Sequence, residues 1–212
     1  ILTPRIAGLA GIVMDAGVGD LLMSRPFVRR SGDWLRKAAG PVHGCGPVCF
    51  AAGTGIVTRR GQIAVEALRP GDQVLQVDGG FAPIRWIGSA SHSGGEMECN
   101  EWLRPIRIRC GAVGNGLPQR DLLVSRDHRC LVRSDAALSL FGQSEVLVAA
   151  GDLRGIPGVA TDPAPEGVEY WHFLLDRHAL VSADGALVET LLLDTALARH
   201  LLAAALHQIV AV

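Results

Sequence analysis

From residue 49 onward the chain is built of short β-type runs cut apart by turns containing glycine and proline, and this rhythm limits the fold more than any other feature. Runs at 55–58, 62–65 and 72–77 are separated by Arg59-Arg60-Gly61 and Arg69-Pro70-Gly71. Asp78-Gly79-Gly80 is a strong hairpin signal ahead of a run over 81–87. Further runs stand at 105–109, 122–125, 130–133, 145–149, 168–174 and 179–182. Many short strands with such turns predict an all-β body, barrel-like or sandwich, rather than βαβ units. A faint internal echo accompanies them: residues 65–74 resemble 148–159, each a strand, an Ala/Leu/Arg bend, a Pro-Gly turn and a strand. A duplicated half-domain would produce this, and so would two turns alike by chance.

The flanks read differently. In the first 48 residues, Ser31 can cap a short helix that ends at Gly40 before Pro41, and Pro41-Val42-His43-Gly44-Cys45-Gly46-Pro47 reads as a linker. Asp15 and Asp20 interrupt the apolar stretch over 6–23, which excludes a membrane span there. The stretch 191–212 is rich in Leu and Ala and predicts a C-terminal helix, with Asp194, Arg199, His200 and His207 again arguing against a span. The expected division is an upstream segment over 1–48, a β domain over 49–190 and this helix. A formal net charge of −1 over 212 residues gives no general attraction to nucleic acid or acidic membranes. No secretory signal is visible, and the compartment stays open between cytoplasm and export.

Five cysteines, Cys45, Cys49, Cys99, Cys110 and Cys130, are an odd number in a chain long enough to do without staples. A reduced compartment or a reserved thiol fits better than a disulfide framework. Cys99, Cys110 and Cys130 read as structural. Cys45 and Cys49 have zinc-ligand spacing, but a closed site wants two more close ligands, so neither a metal nor another cofactor is expected. His172, beside Trp171, reads as a satisfied strand histidine.

Cys49 is the exception. It sits where the linker meets the first strand, and Ser125-Arg126-Asp127-His128 follows far downstream. A thiol and an imidazole distant in sequence can meet in the fold as a nucleophilic pair. A cysteine just after a peptide bond can attack that bond's carbonyl through a five-membered ring, turning Val48–Cys49 into a thioester and freeing the amine of Cys49. His128 is the natural proton donor to the leaving nitrogen, and Ser125 can hydrogen-bond the tetrahedral centre. Asp127 either orients His128 or faces water.

These residues resemble a known family. Cys49-Phe50-Ala51-Ala52-Gly53-Thr54 with 63–75 is similar to the opening block of Hint domains, the autoprocessing modules shared by Hedgehog proteins and inteins. Ser125-Arg126-Asp127-His128 resembles the second block, usually Thr-x-x-His, and Tyr170-Trp171-His172-Phe173 through His178 to Val188 resembles the closing block. The resemblance, nearest to bacterial Hint proteins, implies an all-β horseshoe with pseudo-twofold halves and an N–S acyl shift before Cys49. It carries the nucleophile onto Cys49, the proton donor onto His128, the assisting hydroxyl onto Ser125 and the closing-block histidine onto His178. Splicing inteins end in His-Asn followed by Cys, Ser or Thr; here Glu189-Thr190 and Leu191 stand instead. The expectation is cleavage at Val48–Cys49, with the upstream segment as substrate and water or a small thiol, amine or alcohol as acceptor. The alternatives are a catalytically silent Hint-fold interaction domain of a larger bacterial protein, and a cysteine hydrolase acting in trans.

Overall fold

A computed structural model of the chain describes residues 27–28, 48–77 and 80–191. The helix expected from Ser31, Cys45, the Asp78-Gly79 step and the C-terminal helix beyond Leu191 lie outside the described residues.

Most of the regular structure among the described residues is antiparallel sheet. One sheet of nine strands contains β1 (Phe27–Val28), β3 (Gly55–Thr58), β4 (Gly61–Ala64), β5 (Gln73–Gln76), β6 (Gly80–Pro83), β10 (Arg129–Arg133), β11 (Glu145–Ala149), β14 (Leu180–Ala183) and β15 (Ala186–Glu189). Its order is β1-β11-β10-β15-β14-β3-β5-β6, with β4 also on β3. The second sheet runs β12 (Val159–Thr161), β8 (Ile106–Ile108), β9 (Leu122–Val124), β2 (Phe50–Ala51), β13 (Val168–Leu174) and β7 (Trp86–His92). One core lies between them: Ile56, Val74, Val132, Val146, Val181 and Val188 from the first sheet meet Phe50, Ile106, Ile108, Val124 and Phe173 from the second. Alternation along a strand sends successive side chains to opposite faces. Phe50, Trp171 and Phe173 therefore face this core, and Cys49, His172 and Leu174 face the other way.

The runs expected at 55–58, 145–149 and 168–174 are strands with those bounds; the run expected over 81–87 is split between β6 and β7, which continues to His92, and the rest differ by a residue or two. Val65 leaves the strand for a 3-10 turn, and two short helices were not expected, α1 (Gly94–Cys99) and α2 (Asp135–Phe141). Both are capped by serine, and Ser93 with Glu96 forms a full capping box. Cys99 and Cys110 are exposed, which corrects their reading as buried structural thiols; Cys130 is buried. Among the described residues no helix is long and apolar enough to cross a membrane.

The internal echo is physical. The hairpins β3–β4 and β10–β11 each run into a 3-10 turn, over Val65–Ala67 and Ala150–Leu153. The residues entering these turns, Ala64 and Ala149, have φ/ψ of −61/138 and −62/138. Even the arginines that follow agree: Arg69 donates to the carbonyl of Glu66, and Arg154 to that of Gly151. The β14–β15 hairpin lies between the halves, with β14 on β3 and β15 on β10. Its turn, Asp184-Gly185, has φ of 47 and 89, the left-handed pair that a two-residue hairpin of this kind needs.

Candidate active site

The nucleophile candidate is placed by a strand of two residues. β2 is inserted between β9 and β13, with Phe50 opposite Val124 on one side and Trp171 on the other. Extending that register one residue back sets Cys49 beside Ser125 and across from His172. The N–H of Cys49 donates to Ser125 Oγ at 2.9 Å, and the Cys49 Sγ lies 3.6 Å from His172 Nδ1. The Cys49 carbonyl accepts the N–H of Ser125 at 2.9 Å and faces His128 Nδ1 at 2.9 Å.

His128 is fully buried, with its ring edge-on to Phe50 at 4.6 Å. Its Nε2 faces the carbonyl of Glu189 at 3.0 Å. Both ring nitrogens thus meet acceptors, and a neutral imidazole can donate to only one of them. Burial drives its pKa below the usual histidine value, while the two carbonyls and the Glu189 carboxylate pull it back up. Glu189 is itself buried, accepting from the Arg129 N–H at 3.1 Å and pairing with His178 Nε2 at 3.0 Å and Arg129 Nη1 at 3.3 Å. Burial alone would raise its pKa, but the His178 bond and the Arg129 charge outweigh that and hold it low.

Around the sulfur the field is apolar. Burial pushes the Cys49 thiol far above its ordinary range and pushes His172 down to about 4. The resting pair is a protonated thiol beside a neutral imidazole, not a thiolate–imidazolium pair. Val48, the residue before Cys49, packs against the cluster of Trp86 and Leu191, as does Leu174.

A Hint-domain family model matches residues 48–195. The chain belongs to the Hint-domain family. No curated protein matches the chain in sequence. Among solved structures, the gp41-1 intein is similar over 68% of this chain and 98% of that one, at 11% identity and a TM-score of 0.42. An intein-like domain from Clostridium thermocellum matches over 67% and 97%, at 17% identity and a TM-score of 0.42. The AceL NrdHF class 3 split intein matches over 69% and 99%, at 15% identity and 0.46.

In this Hint domain Cys49, Ser125 and His128 converge as expected, but their pairings differ from the expected roles. Ser125, not His128, meets the amide nitrogen of the Val48–Cys49 bond, and His128 holds the carbonyl on the other side of Cys49. Both His128 nitrogens face backbone carbonyls. His178 bonds the Glu189 carboxylate, while His128 faces the carbonyl of the same residue. The residue that sequence reasoning set aside is His172, which is the imidazole at the thiol. Its signal was strand alternation, since it shares a face of β13 with Leu174 and not with the core residues Trp171 and Phe173. Among the described residues no cluster of three or more His, Cys, Asp or Glu is arranged to hold a metal ion.

Proposed function

We propose that this Hint domain cuts its own chain at Val48–Cys49 through an N–S acyl shift. One observation carries the reading: the nitrogen of Cys49 is engaged by Ser125, its carbonyl oxygen by His128 and the Ser125 N–H, and its sulfur by His172. Attack of Sγ on the Val48 carbonyl carbon forms the C–S bond within one residue, so no encounter has to be arranged. His172 Nδ1, neutral at physiological pH, takes the thiol proton as that bond forms. Collapse of the tetrahedral centre breaks the C–N bond, and the proton that left sulfur ends on the Cys49 nitrogen. Ser125 Oγ accepts from this nitrogen at rest and can donate to it once the nitrogen has gained a lone pair. His128 acts here as a positioning residue: with the Ser125 N–H it fixes the Cys49 carbonyl and hence the direction of the side chain.

The thioester is then opened at the Val48 carbonyl by water or by a small thiol, amine or alcohol, releasing the upstream segment. Ligation does not follow, because Glu189 and Thr190 stand where an asparagine would cyclise. Their side chains are already bonded, Glu189 to His178 and Arg129, and Thr190 Oγ1 to the Ala179 N–H. Burial of an un-ionised Cys49 favours a second reading, a silent scaffold of the same fold. Intact mass separates the two. Self-cleavage predicts fragments 1–48 and 49–212, formed faster with dithiothreitol and absent in Cys49→Ala. A chain that stays whole in every condition, with Cys49 still alkylatable, contradicts it.

A further inference from the structure

The proposed reaction leaves open how the carbonyl of Val48 is brought over the sulfur, and the face of β13 that bears His172 answers this. Trp86 on β7 lies opposite Leu174 on β13, and Gly88 lies opposite His172. The Trp86 indole folds over Gly88: a Cβ built on that glycine would fall 2.4 Å from the far edge of the ring. Folding across Gly88 brings the indole diagonally to His172, with ring centroids 5.2 Å apart. Leu191 closes the arrangement, its N–H on the Phe173 carbonyl at 3.3 Å. Val48 and Leu174 both pack against Trp86 and Leu191.

We infer that Trp86, Leu174 and Leu191 form a subsite that reads the residue preceding the nucleophile and selects a compact aliphatic side chain there. This rests on the self-cleavage reading and deepens it. Because Val48 is tethered, the subsite does not raise affinity; it holds the scissile carbonyl in reach of the sulfur, so its effect falls on the rate. Glycine at this position would fill nothing and add backbone freedom. An acidic side chain would have to leave an apolar angle, or enter it without a partner. An aromatic side chain would overfill it. The same indole walls both the subsite and the base, which ties the choice of acyl residue to the exclusion of water from His172.

The test is the first-order rate of Val48–Cys49 cleavage in dithiothreitol for the full chain, read by intact mass. Val48→Gly is expected to slow it about tenfold and Val48→Asp on the order of a hundredfold or more, in the range that hydrophobic pockets discriminate. Val48→Phe is expected to be slow in the parent chain and several-fold faster when combined with Leu174→Ala, which opens room. A purely structural role for Leu174 would not produce that rescue. Position 48 lies at the edge of the domain, so its variants report on the subsite even if Leu174→Ala unfolds. Rates within twofold for Val, Gly and Asp overturn the subsite and leave self-cleavage standing. No cleavage of the parent chain in any nucleophile overturns both.

Discussion

In the first half of the domain Thr54 leads into β3; its N–H bonds the Ala51 carbonyl at 3.2 Å, and its carbonyl takes the Val65 N–H at 2.8 Å. In the second half His128 leads into β10; its N–H bonds the Ser125 carbonyl at 3.1 Å, and its carbonyl takes the Ala150 N–H at 2.8 Å. The next residue in each half, Gly55 or Arg129, gives its N–H to a buried carboxylate from the central hairpin, Asp184 at 3.2 Å or Glu189 at 3.1 Å. The frames coincide and the side chains part. Thr54 closes locally on the Ala51 carbonyl at 2.7 Å, whereas His128 spans from Cys49 to Glu189. Ala51 offers no oxygen where Ser125 holds the Cys49 nitrogen. Asp184 is saturated by Gln62 and Arg120, and Glu189 by His178 and Arg129. One repeated backbone thus closes on itself in one half and holds Cys49 in the other, and two side chains, Ser125 and His128, make the difference.

Substitutions can break this contrast in order of severity. His172 belongs to neither repeat, and His172→Gln is expected to slow cleavage about a thousandfold, the usual scale for losing a positioned base, with folding kept. His128→Thr gives the second half the residue that the first half carries at that place. It is expected to cost about a hundredfold in rate by freeing the Cys49 carbonyl. Its counterpart Thr54→Ala leaves the rate within twofold and lowers stability by about 1 kcal/mol, read by urea denaturation. Glu189→Gln removes the carboxylate that pulls the His128 ring toward its charged form, and is expected to slow cleavage about tenfold. Asp184→Asn, its partner in the first half, is expected to change the unfolding midpoint and not the cleavage rate. If Asp184→Asn slowed cleavage as much as Glu189→Gln, the halves would not differ in use.

The sequence carries what is local. Strand runs over 145–149 and 168–174 and the echo between 65–74 and 148–159 were legible because propensity and turn chemistry act within a few residues. Helix α1 was hidden because Gly94-Gly95 opposes the helix that the Ser93–Glu96 box starts. The site was legible at Cys49, Ser125 and His128, through a motif. His172 was not, because its role depends on β2 lodging between β9 and β13, a pairing across 123 residues that no local signal specifies. The part of Glu189 was equally hidden: an acid ending an apolar run reads as a strand end until His178 and Arg129 are folded onto it.

The central claim is that a neutral His172 takes the thiol proton as Cys49 attacks, and the pH dependence of the acyl shift tests it most directly. With saturating hydroxylamine, so that the shift and not thioester opening sets the rate, the imidazole is neutral at every pH well above about 4. The rate should then be flat across neutral pH and fall only as acid approaches that value, and His172→Gln should abolish the plateau. A rate that instead climbs tenfold per pH unit through neutrality would mean that the buried thiol must ionise before it attacks, and would contradict the account.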